Sequence, residues 1–171
     1  MITRERRSAK FSAGFPAAFV GTRDAAILVS IAPRRNFSMT DQPETPSARV
    51  LLVDDEPGVR MSLHALLDRE YRVTSVASGE AAMEELPRFR PDLVLLDVRL
   101  LPSMSGLDAL ERIKAFDRRI EVVMITAFAS LATLNEALRR GAAGYLIKPF
   151  PRRDLELMVR DALARRAPRL D

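Results

Sequence analysis

From Arg49 onward the chain alternates short apolar runs with segments whose apolar residues recur at helical spacing, and it does so five times. Few features constrain a fold more, because parallel strands can be joined only by crossovers long enough to hold a helix. Val50 to Val53, Tyr71 to Val76, Leu93 to Leu96, Val122 to Ile125 and Tyr145 to Ile147 read as strands. Pro57 to about Arg69, Ala81 to Leu86, Gly106 to Phe116, Ser130 to Arg140 and Arg152 to Arg166 read as the helices. Local signals agree: Pro57 suits a first helical turn, Ser78 an N-cap with Glu80 behind it, and Gly141 a position just past a helix end. Pro87 and Pro91 bracket the expected end of the second helix. The run Leu93 to Leu96, apolar at every position, requires a central strand buried on both faces. In the first helix Val59, Leu63, Leu66 and Leu67 share a face, and His64 is rotated off it toward solvent.

Composition narrows the chemistry. The 171 residues contain no cysteine, which excludes disulfides, thiolate metal sites and cysteine nucleophiles, and a reducing, cytoplasmic compartment fits. The net charge of +4 would invite a nucleic-acid reading, but residues 1–38 carry seven Lys/Arg against two Asp/Glu, and the other residues are nearly balanced. No direct nucleic-acid binding is expected, nor a membrane span, since no apolar run approaches about 18 residues. Residues 1–47 read as a basic then polar extension, expected to be disordered, with Met39 as an alternative start; residues 48–167 form one domain and 168–171 a tail. The basic start followed by Phe11 to Val20 imitates a targeting peptide only loosely, because Arg23 and Asp24 interrupt it.

Polar residues stand at the C-terminal ends of four strands: Asp54 and Asp55, Asp97, Thr126, and Lys148. In an open parallel sheet the ligand crevice lies outside those ends, so distant side chains can converge there. Each has a plain explanation alone, as a helix cap, a turn residue, a strand threonine or a solvated lysine. Together they are a different matter. Three crowded carboxylates repel unless a cation sits among them, and oxygen donors with open water positions suit Mg²⁺. With a lysine beside them, they provide what phosphoryl transfer to a carboxylate needs.

The segments VLLVDDEP, PDLVLLDVRL, VVMITAFAS and GYLIKPF resemble the signature segments of response-regulator receiver domains, over about 120 residues and in the family's order. The resemblance implies a flavodoxin-like doubly wound sheet of five parallel strands, order 2-1-3-4-5, with helices on both faces. It implies Asp97 as phosphoacceptor, Asp55 as a direct Mg²⁺ ligand, Asp54 as a largely water-mediated one, and the Arg99 backbone carbonyl as another. Lys148 would pair with the phosphoryl group, Thr126 would donate its hydroxyl to it beside the small Ala127, and Tyr145 would rotate as the switch. The peptide before Pro149 is commonly cis in this family. Partners implied are a histidine kinase or phosphotransfer protein, and a second copy through the face of the fourth helix, fifth strand and fifth helix. The domain would be a phosphoacceptor and not an enzyme, although it would assist its own phosphorylation and dephosphorylation. MITAFAS with DVRL is most similar to the nitrogen-regulator subgroup.

One departure stands out. The proline and glycine that receivers place four and eight residues after the phosphoacceptor fall here at Pro102 and Gly106, so the loop DVRLLPSMSG has one residue extra. A loop absorbs an insertion at small entropic cost, and chemistry is expected to survive with altered loop shape. Phe128 is expected to slow self-hydrolysis by limiting water. Rival readings are a degenerate receiver that docks partners without phosphorylation, a receiver fragment of a longer transcription factor, and an aspartyl hydrolase. The last would want an acid two positions after Asp97, where Arg99 stands.

Overall fold

The computed structural model describes residues 28–30, 48–100, 103–127 and 129–165. In chain order the elements are β1 (Leu28–Ser30), β2 (Arg49–Val53), α1 (Pro57–Leu67), β3 (Arg72–Val76), α2 (Gly79–Phe89) and β4 (Leu93–Asp97). They continue with α3 (Gly106–Phe116), β5 (Glu121–Thr126), α4 (Leu131–Arg139), β6 (Gly144–Ile147) and α5 (Arg152–Arg165). Strands β3, β2, β4, β5 and β6 lie side by side and parallel, which is the expected order 2-1-3-4-5 of an α/β doubly wound sheet.

The strands dictate the layering through their two-residue period. Leu51, Val53, Val94, Leu96, Val122 and Met124 point to one face, where they meet Ala82 and Leu86 of α2, Leu110 and Ile113 of α3, and Ala137 of α4. Val50, Leu52, Leu93, Leu95, Val123 and Ile125 point to the other, against Leu63 and Leu67 of α1 and Leu155 and Met158 of α5. Every residue of β4 is buried, as a strand covered on both faces must be. At the sheet's N-terminal rim the buried Asp92 accepts a hydrogen bond from the Arg49 amide at 2.8 Å, holding the starts of β2 and β4 together. His64, its ring 44% exposed, lies off the core as expected.

Two features differ from expectation. Helix α2 does not end before Pro87 but runs through it to Phe89, and its C-cap Arg90 is left-handed with φ 49°. A proline in the last turn removes only one intrahelical donor, and the Arg90 amide still reaches the Leu86 carbonyl at 2.9 Å. The second feature lies in the N-terminal extension, expected to be disordered. Leu28–Ser30 forms a sixth, antiparallel strand on the outer edge of β6, pairing Leu28 with Leu146, Val29 with Tyr145 and Ser30 with Gly144. The rest of residues 1–47 lies outside the described residues, as do Leu101, Pro102, Phe128 and residues 166–171. An edge strand leaves backbone donors and acceptors open, and three more residues of ladder close part of that edge. Deleting residues 1–38 is therefore expected to speed amide hydrogen exchange across Gly144–Leu146 by about tenfold while β4 stays protected. Equal protection in both forms would show that β1 does not hold the edge.

Candidate functional site

The C-terminal ends of β2, β4, β5 and β6 meet at one rim of the sheet, and each delivers a polar residue there. Asp54 follows β2 and is buried. Its Oδ1 accepts from the Glu56 amide at 2.9 Å, and its amide donates to the Val76 carbonyl at 3.3 Å. Asp97 ends β4, 6% exposed, and its Oδ1 accepts from the Arg99 amide at 3.0 Å. Thr126 ends β5, fully buried, and its carbonyl accepts from the Lys148 amide at 2.8 Å, tying that strand end to the lysine. Lys148 directly follows β6 and precedes a cis peptide to Pro149.

The lysine makes these residues one site. Its Nζ donates to Asp54 Oδ2 at 2.6 Å and to Asp97 Oδ2 at 3.1 Å, bridging two carboxylates that would otherwise repel in a poorly solvated pocket. Burial works against its charge, but the Asp54 hydrogen bond and both carboxylates outweigh burial, so its pKa is raised above the ordinary lysine value. Asp97 is raised above the usual carboxylate range. Burial is the chief cause, opposed by the Arg99 amide and Lys148 and reinforced by the charge of Asp54. A buried carboxylate with one oxygen on a cation and the other on an amide is held in a fixed orientation, and the protein only partly offsets its charge.

The carboxylates that gather within 4.8 Å of one another are those of Asp54, Glu56 and Asp97. Asp54 and Asp97 were expected in that group; Glu56 was not, and the Asp55 carboxylate lies outside it. The only sequence signal for Glu56 is its place directly after the acid pair. Reading the sequence also missed Arg60, whose Nη1 donates to the Asp54 main-chain carbonyl at 2.6 Å across the first turn of α1. The donor set suits a hard divalent cation: all ligand atoms are carboxylate oxygens, and three negative charges face one lysine.

Around the acids the loop after β4 is fastened at both ends. The Gly106 amide donates to the Val98 carbonyl at 3.0 Å, and the Val98 amide to the Ile125 carbonyl at 3.1 Å. Ser103 Oγ donates to Glu80 at 2.5 Å, and buried Met104 fills the notch left by Gly79, where a Cβ would lie 2.7 Å from its Sδ. Ser103 and Met104 thereby dock the end of that loop on the start of α2. Arg99, whose carbonyl was expected to face the cation, is exposed with its amide committed to Asp97. Tyr145 of β6 is 1% exposed, and its buried hydroxyl has no partner among the described residues. Burial chiefly, with the charge of Asp97, raises its pKa.

A family model described as the response regulator receiver domain matches residues 50–160. The chain is 36% identical over 121 residues to sporulation initiation phosphotransferase F of Bacillus subtilis, covering 70% of this chain and 94% of that protein. To regulatory protein AtoC of Escherichia coli it is 40% identical over 116 residues, 67% of this chain but 25% of the longer protein. Among solved structures, a CheY-like response regulator receiver domain protein from Methanospirillum hungatei superposes with a TM-score of 0.65 at 30% identity, covering 68% of this chain and 94% of that one. The family match takes in all four strand ends that build the pocket and well over half of the chain, which belongs to the receiver domains of two-component response regulators.

Proposed function

We propose that Asp97 accepts a phosphoryl group from a phosphohistidine on a histidine kinase or phosphotransfer protein, and that its acyl phosphate switches the protein contacts of α4, β6 and α5. The observation that carries this reading is the Lys148 bridge between Asp54 and Asp97 in a buried pocket at the strand ends. In the transfer an Asp97 oxygen forms a bond to phosphorus while the bond from phosphorus to the donor nitrogen breaks, and the donor imidazole leaves with that electron pair. Lys148 is placed to move from Asp97 Oδ2 to a phosphoryl oxygen without leaving Asp54. Asp54, Asp55, Asp97 and the Arg99 carbonyl would hold Mg²⁺, which when bound would supply positive charge against the negative charge gathered in the transfer. Asp97 then returns to its free state by hydrolysis, so the domain is a phosphoacceptor and not an enzyme acting on an outside substrate.

On this reading the signal leaves through β5 and β6. A Thr126 hydroxyl drawn toward the phosphoryl group would pull on the end of β5, beside which Tyr145 keeps a hydroxyl with no partner among the described residues. On the proposed output face Leu131 of α4 is 77% exposed, and β1 lies along β6 next to α5. A second copy is one partner such a face can take. Action in the cytoplasm belongs to this reading; no helix among the described residues is long and apolar enough to cross a membrane.

Incubation with Mg²⁺ and acetyl phosphate is expected to add one phosphoryl group by intact mass spectrometry, labile at high pH and lost in Asp97→Asn. A protein that stays unmodified where an ordinary receiver reacts would replace this reading with that of a docking module working without phosphate.

A further inference from the structure

Glu56 sits at the N-cap of α1, yet its side chain makes no capping hydrogen bond. Glutamate is a poor N-cap because its oxygen reaches past the first-turn amides, and Ser78, Ser105 and Ser130 cap α2, α3 and α4 in the ordinary way. Among the described residues the Glu56 carboxylate has neither a hydrogen bond nor an ion pair, although its amide is held by Asp54 Oδ1 at 2.9 Å. That amide bond fixes where the side chain starts, and the carboxylate reaches within 4.8 Å of the Asp54 and Asp97 oxygens. Lys148 is engaged with the other two acids, at 2.6 and 3.1 Å. These three carboxylates share one ammonium, an excess of negative charge that a divalent cation offsets. Asp54 and Asp97 are buried and spoken for, whereas Glu56 is exposed and free to meet a cation entering from solvent.

We infer that Glu56 is a further carboxylate of the cation site, acting on Mg²⁺ directly or through a bound water and strengthening its binding. The inference rests on the receiver reading of the same pocket and adds a residue to it. Calorimetric titration of the full chain with Mg²⁺ tests it, comparing wild type with Glu56→Gln, and with Asp68→Asn at the far end of α1 as a surface-charge control. Gln keeps length and shape but removes the charge; the Mg²⁺ dissociation constant is expected to rise by about fivefold in Glu56→Gln and to stay within about twofold in Asp68→Asn. Melting temperature in chelator is expected to stay within about 2 °C of wild type, which separates loss of a cation contact from loss of the helix start. A Glu56→Gln affinity within twofold of wild type, or an equal loss in Asp68→Asn, overturns the inference. Wild type failing to bind Mg²⁺ overturns it together with the metal-assisted reading. Mg²⁺ binding that weakens in Glu56→Gln, in a chain that acetyl phosphate does not modify, supports Glu56 and rejects only phosphoryl transfer.

Discussion

Gly106→Ala is expected to lower the melting temperature by about 6–12 °C, although alanine is the better helix former by up to about 1 kcal/mol. The sign of the result is what matters. Gly106 opens α3, where added propensity alone would stabilise. A Cβ there would lie 2.7 Å from Val98 Cα and 2.9 Å from the Asp97 carbonyl carbon, and it would overlap the Asp97 carbonyl oxygen. These are backbone atoms and cannot rotate aside. The bond from the Gly106 amide to the Val98 carbonyl draws the same surfaces together, and the bond from the Val98 amide to Ile125 anchors the strand end. Either α3 retreats or β4 bends, at a cost of about 3 kcal/mol or more for overpacking that backbone must absorb. Because the yielding atoms carry Asp97, chemistry falls with stability. With Asp97 as the proposed phosphoacceptor, a shift of about 1 Å in its carboxylate is expected to slow acetyl phosphate labelling about a hundredfold in protein still folded. Unchanged melting and labelling would mean that α3 and the end of β4 stand farther apart than the geometry gives.

Much of this architecture is legible in the chain because the fold is built from repeated local rules. Each strand is an apolar run bounded by a turn, and each polar residue of the pocket stands where such a run stops, so reading the strands also placed Asp54, Asp97, Thr126 and Lys148 at one rim. Gly106–Phe116 was readable end to end because Ser105 and Gly106 mark its start and its apolar positions keep helical spacing. The missed features depend on information that no local window holds. Pro87 reads as a stop, yet in a last turn it costs one donor, and the Leu86 packing that outweighs this comes from α2 lying on the sheet. Leu28–Ser30 is too short to declare itself, and only the open edge of β6, far along the chain, makes it a strand. Glu56 looks like one more charge at a helix start. Where its carboxylate points follows from the Asp54 side chain gripping its amide, a contact between neighbours that the sequence lists without orienting.

Lys148→Met is expected to destabilise the metal-free protein by about 3 kcal/mol at neutral pH, a drop of about 6–12 °C, and added Mg²⁺ is expected to restore most of it. Methionine keeps the apolar stem, so the change isolates the charge. Without the ammonium, the Asp54 and Asp97 carboxylates remain side by side, 4% and 8% exposed, with no compensating cation among the described residues. Breaking a buried pair costs more than the pair contributes, because the charge left behind is neither paired nor hydrated. The pH dependence follows from the signs. Burial first, and Asp54 after it, already hold the Asp97 pKa above its unfolded value, so its ionisation in the folded state is a cost present in full above that raised pKa, declining as pH falls through it and gone below the unfolded value. Removing Lys148 pushes Asp97 further up, and the deficit should shrink steadily as pH falls and one acid takes a proton. Lys148 itself, raised above its ordinary value, stays charged throughout this window, so the wild type gains nothing comparable on acidification. Melting curves at neutral and mildly acidic pH, with Mg²⁺ and with chelator, read all of these at once, and Lys148→Met combined with Asp97→Asn should recover much of the lost stability by removing one of the two repelling charges. A deficit that ignores pH, Mg²⁺ and the second substitution would mean that methionine is merely a poor fit, and that the lysine is not what holds the two acids together.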